Sequence, residues 1–116
     1  MLSLGKYMYE EFKRLCNWRF YASLVAKAAA RVLSVEFEVY VFGGAAENRL
    51  TALSDLDVAV VLREDPSPEA RLRIKLMIMK EAFRLGLPWD YPLDLHVVGP
   101  SDFKRIRKYS SVVRIK

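Results

Sequence analysis

The stretch Asp55–Leu62 constrains the fold of this chain more than any other. It reads Asp-Leu-Asp-Val-Ala-Val-Val-Leu, and beyond the two carboxylates both of its faces are apolar. A strand with that pattern belongs in the middle of a sheet, where both faces are covered. Its neighbours are legible on either side. Residues 36–42, Glu-Phe-Glu-Val-Tyr-Val-Phe, alternate and are rich in β-formers, and Gly43-Gly44 stops them. Leu93 to Val98 supplies a third strand.

Helices fill the intervals. Ser67-Pro68-Glu69 combines a cap, a first-turn proline and an acid near the positive end of the dipole, so it predicts a helix running to Leu85 and ending at Gly86, with Pro88 beyond. Its buried face is expected at Leu72, Leu76, Met79 and Phe83, with Arg71, Lys75 and Arg84 off it. Residues 4–33 are helical, with apolar positions Leu4, Met8, Phe12, Leu15, Trp18, Ala22, Val25, Ala29 and Val32 at three- and four-residue steps. Thirty residues is long for one globular helix, and a break is expected near Cys16-Asn17-Trp18. Ala45 to about Leu50 is expected as a short helix, with Asn48 suited to a left-handed residue near its end. Pro100-Ser101-Asp102 opens a last short helix. The order helix, strand, turn, strand, helix, strand, helix describes an α+β fold, a small mixed β-sheet flanked by helices, in a single domain over residues 1–116.

Composition narrows the setting. No segment is long and apolar enough to span a bilayer, and the first residues lack a signal-peptide pattern, so no membrane partner is expected. The lone Cys16 permits no internal disulfide and fits a reducing cytoplasm; its place in a helical stretch favours a buried structural thiol. The net charge of +5 is concentrated at the end of the chain. Lys104, Arg105, Arg107, Lys108, Arg114 and Lys116 face a single acid, Asp102, a balance that suits a solvated surface, RNA, a triphosphate or an acidic partner.

The chemistry sits at one end of the central strand. Asp55 and Asp57 are two residues apart, so on a strand they share a face, and a neighbouring strand brings Asp94 as a third carboxylate. Such a group repels itself unless cations compensate. Two divalent ions about 3.5–4 Å apart would do so, and Mg²⁺ suits sites built from a few carboxylates plus water and phosphate. Gly43 and Gly44 let backbone N–H groups approach a phosphate closely, aided by the dipole of the helix expected after them. Asp94 could also accept a proton from an attacking hydroxyl. His96 shares its face and reads as a structural ring rather than a catalytic one.

Gly43-Gly44, nine residues, Ser54-Asp55-Leu56-Asp57 and then Leu93-Asp94-Leu95 resembles the signature of the DNA polymerase β-like nucleotidyltransferase superfamily, over about residues 20–98. The small size is similar to that of its minimal nucleotidyltransferases. The resemblance implies that Asp55 and Asp57 bind both metals, that Asp94 binds the catalytic one, that Gly43 and Gly44 hold the β- and γ-phosphates, and that Ser54 shapes the loop. Gly44 stands where the family usually has serine, and Asn48 where glycine is frequent. The activity implied is Mg²⁺-dependent transfer of a nucleoside monophosphate from an NTP, by family default ATP, to a hydroxyl. In related pairs the acceptor is a tyrosine of a small helical HEPN toxin, and the transferase is the antitoxin. A catalytically weak nucleotide-binding subunit acting by contact is the alternative, and an RNA-binding domain using the basic tail ranks last. Base choice, acceptor and self-association are open at this stage.

Overall fold

The computed structural model describes residues 3–51 and 54–116. Four helices and four strands follow in the order α1 (Leu4–Cys16), α2 (Trp18–Val32), β1 (Phe37–Phe42), β2 (Leu56–Leu62), α3 (Pro68–Arg84), β3 (Leu93–Val98), α4 (Pro100–Tyr109) and β4 (Val112–Arg114). The sheet order is β3-β2-β1-β4. β2 runs antiparallel to β1 and parallel to β3, and β4 closes the other side antiparallel to β1. The sheet is therefore mixed, and α3 is the crossover that the parallel pair requires.

The central position of β2 explains its apolar run. Leu56, Val58 and Val60 are fully buried in the main core with Val39, Val41, Leu95 and Val97, beneath α2 and α3. Ala59, Val61 and Val98 face the other way and form a second, smaller core with Phe103 of α4. α4 covers only part of that face. Its first turn is held by Asp65 of the β2–α3 loop, whose carboxylate accepts from the Ser101 amide (3.1 Å) and hydroxyl (2.6 Å).

Several sequence expectations are met. The helix break falls at Asn17, both Ser67 and Pro68 start α3 as read, and Asn48 is left-handed at φ 57°. Others are corrected. Cys16 is exposed, because Leu15 takes the buried position and the next residue points about 100° round the helix. The stripe of 4–33 reaches the core only from Leu15 onward; Leu4 is 74% exposed, and Met8 and Phe12 are also exposed. In place of the helix expected over 45–50, residues 43–48 form turns: the Glu47 amide donates to the Gly43 carbonyl and the Arg49 amide to the Gly44 carbonyl, with Asn48 left-handed between them. Too few residues remain to repay helix nucleation, so no helix dipole stands behind the glycines.

α3 carries two apolar stripes of helical spacing, and the core takes the other one. Ile78 and Ala82 are fully buried with Ile74 packed beside them; of the expected face Met79 does pack against the core, whereas Leu72 and Leu76 are each 59% exposed and Phe83 is exposed. α3 packs against α2, and both helices put small residues into the shared core, Ala82 from α3 and Ala22, Ala26 and Ala29 from α2. β4, absent from the sequence reading, is three residues long inside the basic segment.

Candidate active site

Register determines which side chains meet. Asp57 lies opposite Phe42 on β1 and beside Asp94 on β3, while Ala59 lies beside His96. All four of Asp57, Ala59, Asp94 and His96 thus fall on the α4 face of the sheet; Ala59 is buried in the small core with Phe103, while Asp57, Asp94 and His96 are only partly covered or exposed. The His96 Nε2 is 3.2 Å from Asp94 Oδ2 and 3.5 Å from Asp57 Oδ1, and ligand atoms of the three residues lie within 4.8 Å of one another. The ring packs edge-on to Phe42, at 5.0 Å between centroids. The Asp57 carboxylate is the main cause holding His96 above the usual imidazole range; burial opposes it, and the charge of Asp94 assists.

Asp55 stands one residue before β2, exposed, and is not in this group. Three of the expected features therefore converge (Asp57, Asp94 and the glycine turn), joined by a histidine that sequence reasoning set aside. Its signal was available, since His96 follows Asp94 at the same-face interval of two.

The glycine turn abuts the cluster. Gly43 has φ +72°, and a Cβ there would lie 2.5 Å from Asp57 Oδ2. Glycine is required at that position for conformation and for space. Gly44 is different: a Cβ would make only ordinary contact, 3.5 Å from the Arg49 carbonyl oxygen. The Gly43 amide donates to Ser110 Oγ at 2.9 Å, a link from the segment joining α4 to β4 that the sequence did not suggest. Ser54 shapes its loop, accepting from the Thr51 amide at 2.9 Å and donating its own amide to the Thr51 carbonyl at 3.1 Å.

The residues fit a divalent cation. Two carboxylates converge with an imidazole nitrogen, and His96 Nε2 is shielded from solvent without a hydrogen-bond partner among the described residues. An orphaned donor or acceptor in such a place calls for a ligand. The basic end of the chain lies elsewhere. Lys104, Arg107, Arg114 and Lys116 border an open groove of about 940 Å³ along Phe37 and Tyr40, in which Arg114 pairs with Glu38 and Arg63 with Glu36.

Fold and site together define a small α+β domain with a glycine turn beside a carboxylate–imidazole cluster at one end of its central strand. Residues 24–114 match the model of the nucleotidyltransferase domain family, and the chain belongs to that family. The resemblance read from the glycine–aspartate spacing is thereby borne out, and so is the fold. Among solved structures, the chain is similar to a candidate nucleotidyltransferase from Sulfolobus solfataricus, at 20% identity and a TM-score of 0.57, covering 98% of this chain and 90% of that one. It is also similar to a protein in the crystal structure of a toxin–antitoxin with AMP-PNP, at 18% identity and a TM-score of 0.54, covering 80% of this chain and 70% of that one. No curated protein matches the sequence. Among the described residues, no helix is long and apolar enough to cross a membrane.

Proposed function

We propose that this nucleotidyltransferase moves a nucleoside monophosphate, AMP from ATP, to a hydroxyl acceptor on a partner protein. The observation that carries the reading is the convergence of Asp57 and Asp94 beside the Gly43 turn. A bound Mg²⁺ pair would neutralise the triphosphate and favour departure of pyrophosphate. Asp57 and Asp94 would hold those ions, joined by Asp55 once nucleotide is present. Asp94, with a side chain 48% exposed, is open to an incoming hydroxyl and can take its proton. The Gly43 and Gly44 backbone would receive the β- and γ-phosphates, because no Cβ intervenes at Gly43. Positioning and charge neutralisation supply most of what such a transfer needs.

The acceptor in this reading is a tyrosine of a small helical HEPN-type toxin, with this chain as the antitoxin. The structural likeness to a protein of a toxin–antitoxin supports it. A second reading, a nucleotide-binding subunit that acts by contact, is favoured by the Gly43 amide, which is already bonded to Ser110. Incubation with MgATP labelled at the α- or the γ-phosphate, together with the partner, separates the two. Transfer predicts α-label on the partner and none from the γ-position, abolished by Asp57→Asn. Undiminished labelling by that variant would refute the site assignment, and nucleotide binding without labelling would favour the second reading.

A further inference from the structure

The geometry points to His96 as a metal ligand that makes this site prefer Mn²⁺ over Mg²⁺. The inference rests on the metal site proposed above and adds a nitrogen donor to it. His96 Nε2 faces both carboxylates, at 3.2 Å from Asp94 and 3.5 Å from Asp57, and neither approach has the alignment of a hydrogen bond. A purely structural histidine would satisfy that nitrogen by donating to one carboxylate. Here the nitrogen is withdrawn from solvent and aimed between the two oxygens that would hold a cation, all three ligand atoms lying within 4.8 Å. The ring is set there by the sheet. His96 sits in register beside Ala59, whose small side chain leaves room, and Phe42 packs edge-on against the imidazole. Coordination through Nε2 would use its lone pair, with the ring's proton on Nδ1 in the metal-bound state.

The donor set decides the ion. Mg²⁺ is a hard cation that takes oxygen ligands and gains little from imidazole, whereas first-row transition ions accept nitrogen readily. Two carboxylates and one imidazole therefore favour Mn²⁺ beyond what carboxylates alone would give.

The test uses the whole chain with the metals themselves. Mn²⁺ binding is read by electron paramagnetic resonance and Mg²⁺ by competition against it, for the wild type, His96→Gln and Asp57→Asn. Glutamine keeps an oxygen donor at similar reach, so His96→Gln is expected to lower the Mn²⁺/Mg²⁺ affinity ratio at least tenfold while Mg²⁺ affinity stays within about threefold. Spin-echo spectra of wild-type protein with Mn²⁺ should show nitrogen coupling from the imidazole, a readout that needs no variant. Mn²⁺ binding that is lost in Asp57→Asn but unchanged in His96→Gln, without nitrogen coupling, would overturn the role of His96 and leave the carboxylate site standing. Mn²⁺ binding that survives Asp57→Asn would overturn both.

Discussion

The two glycines of the turn make a sharp internal contrast, and Gly43→Ala is the perturbation that exploits it. Alanine at φ +72° carries a left-handed penalty of about 1–2 kcal/mol, so urea unfolding should report a loss of that size. The second consequence is local. A Cβ 2.5 Å from Asp57 Oδ2 forces the carboxylate to retreat by about 1 Å to reach ordinary contact, and its partner in that motion is the cluster with Asp94 and His96. Displacing a ligand is at least as damaging as losing a residue that orients one, which typically costs about 10–100-fold in metal affinity. Calorimetric titration with MgATP should therefore show a loss in that range. Gly44→Ala is the control: its Cβ meets nothing closer than 3.5 Å, and its stability should stay within about 0.5 kcal/mol of wild type. Equal damage from both substitutions, or wild-type MgATP affinity in Gly43→Ala, would refute the argument that Gly43 is there to let Asp57 stand where it does.

The other predictions concern packing, capping and the turn. Ile78→Ala should cost about 2–5 kcal/mol in urea unfolding, because Ile78 is fully buried, and Leu76→Ala should cost within about 0.5 kcal/mol; the reverse order would mean that the face of α3 is misassigned. Asp65→Ala should speed amide exchange in the first turn of α4, since the carboxylate that receives the Ser101 amide and hydroxyl is gone. The Ser101 hydroxyl, then its amide, hold the Asp65 carboxyl below its usual range, so its stabilising contribution is intact above about pH 4 and fades as pH falls through the lowered value. Protection of α4 that is unchanged by the substitution would contradict this. Ser110→Ala releases the Gly43 amide for phosphate and should tighten MgATP binding about two- to tenfold, the worth of one net hydrogen bond; weaker binding would mean that Ser110 supports the turn instead.

What the sequence made legible follows from strong local signals. β2 announced itself by an apolar run that only a central strand tolerates, and α3 by its cap and proline. The family's glycine–aspartate spacing then located Gly43, Asp57 and Asp94 before any contact was known. What stayed hidden depends on tertiary contacts. Periodicity pointed to the stripe through Leu72, Leu76 and Phe83 on α3, whereas packing with α2 and the sheet buries Ile78 and Ala82. β4 is too short to be distinguished from a basic surface tail, and its pairing with β1 is what brings Ser110 to the Gly43 amide. The same-face interval from Asp94 to His96 was visible. That the imidazole nitrogen would face two carboxylates depended on the β2–β3 register, which places Asp57 beside Asp94.

The most direct test of the account is where nucleotide and metal go. Titrating ¹⁵N-labelled protein with the Mn²⁺ complex of a non-hydrolysable ATP analogue should broaden the amide signals of Gly43, Gly44, Asp57 and Asp94 first, and Asp57→Asn should abolish that pattern. Broadening centred instead on Lys104, Arg107 and Arg114, along the basic groove, would contradict the claim that the carboxylates and the Gly43 turn form the nucleotide site.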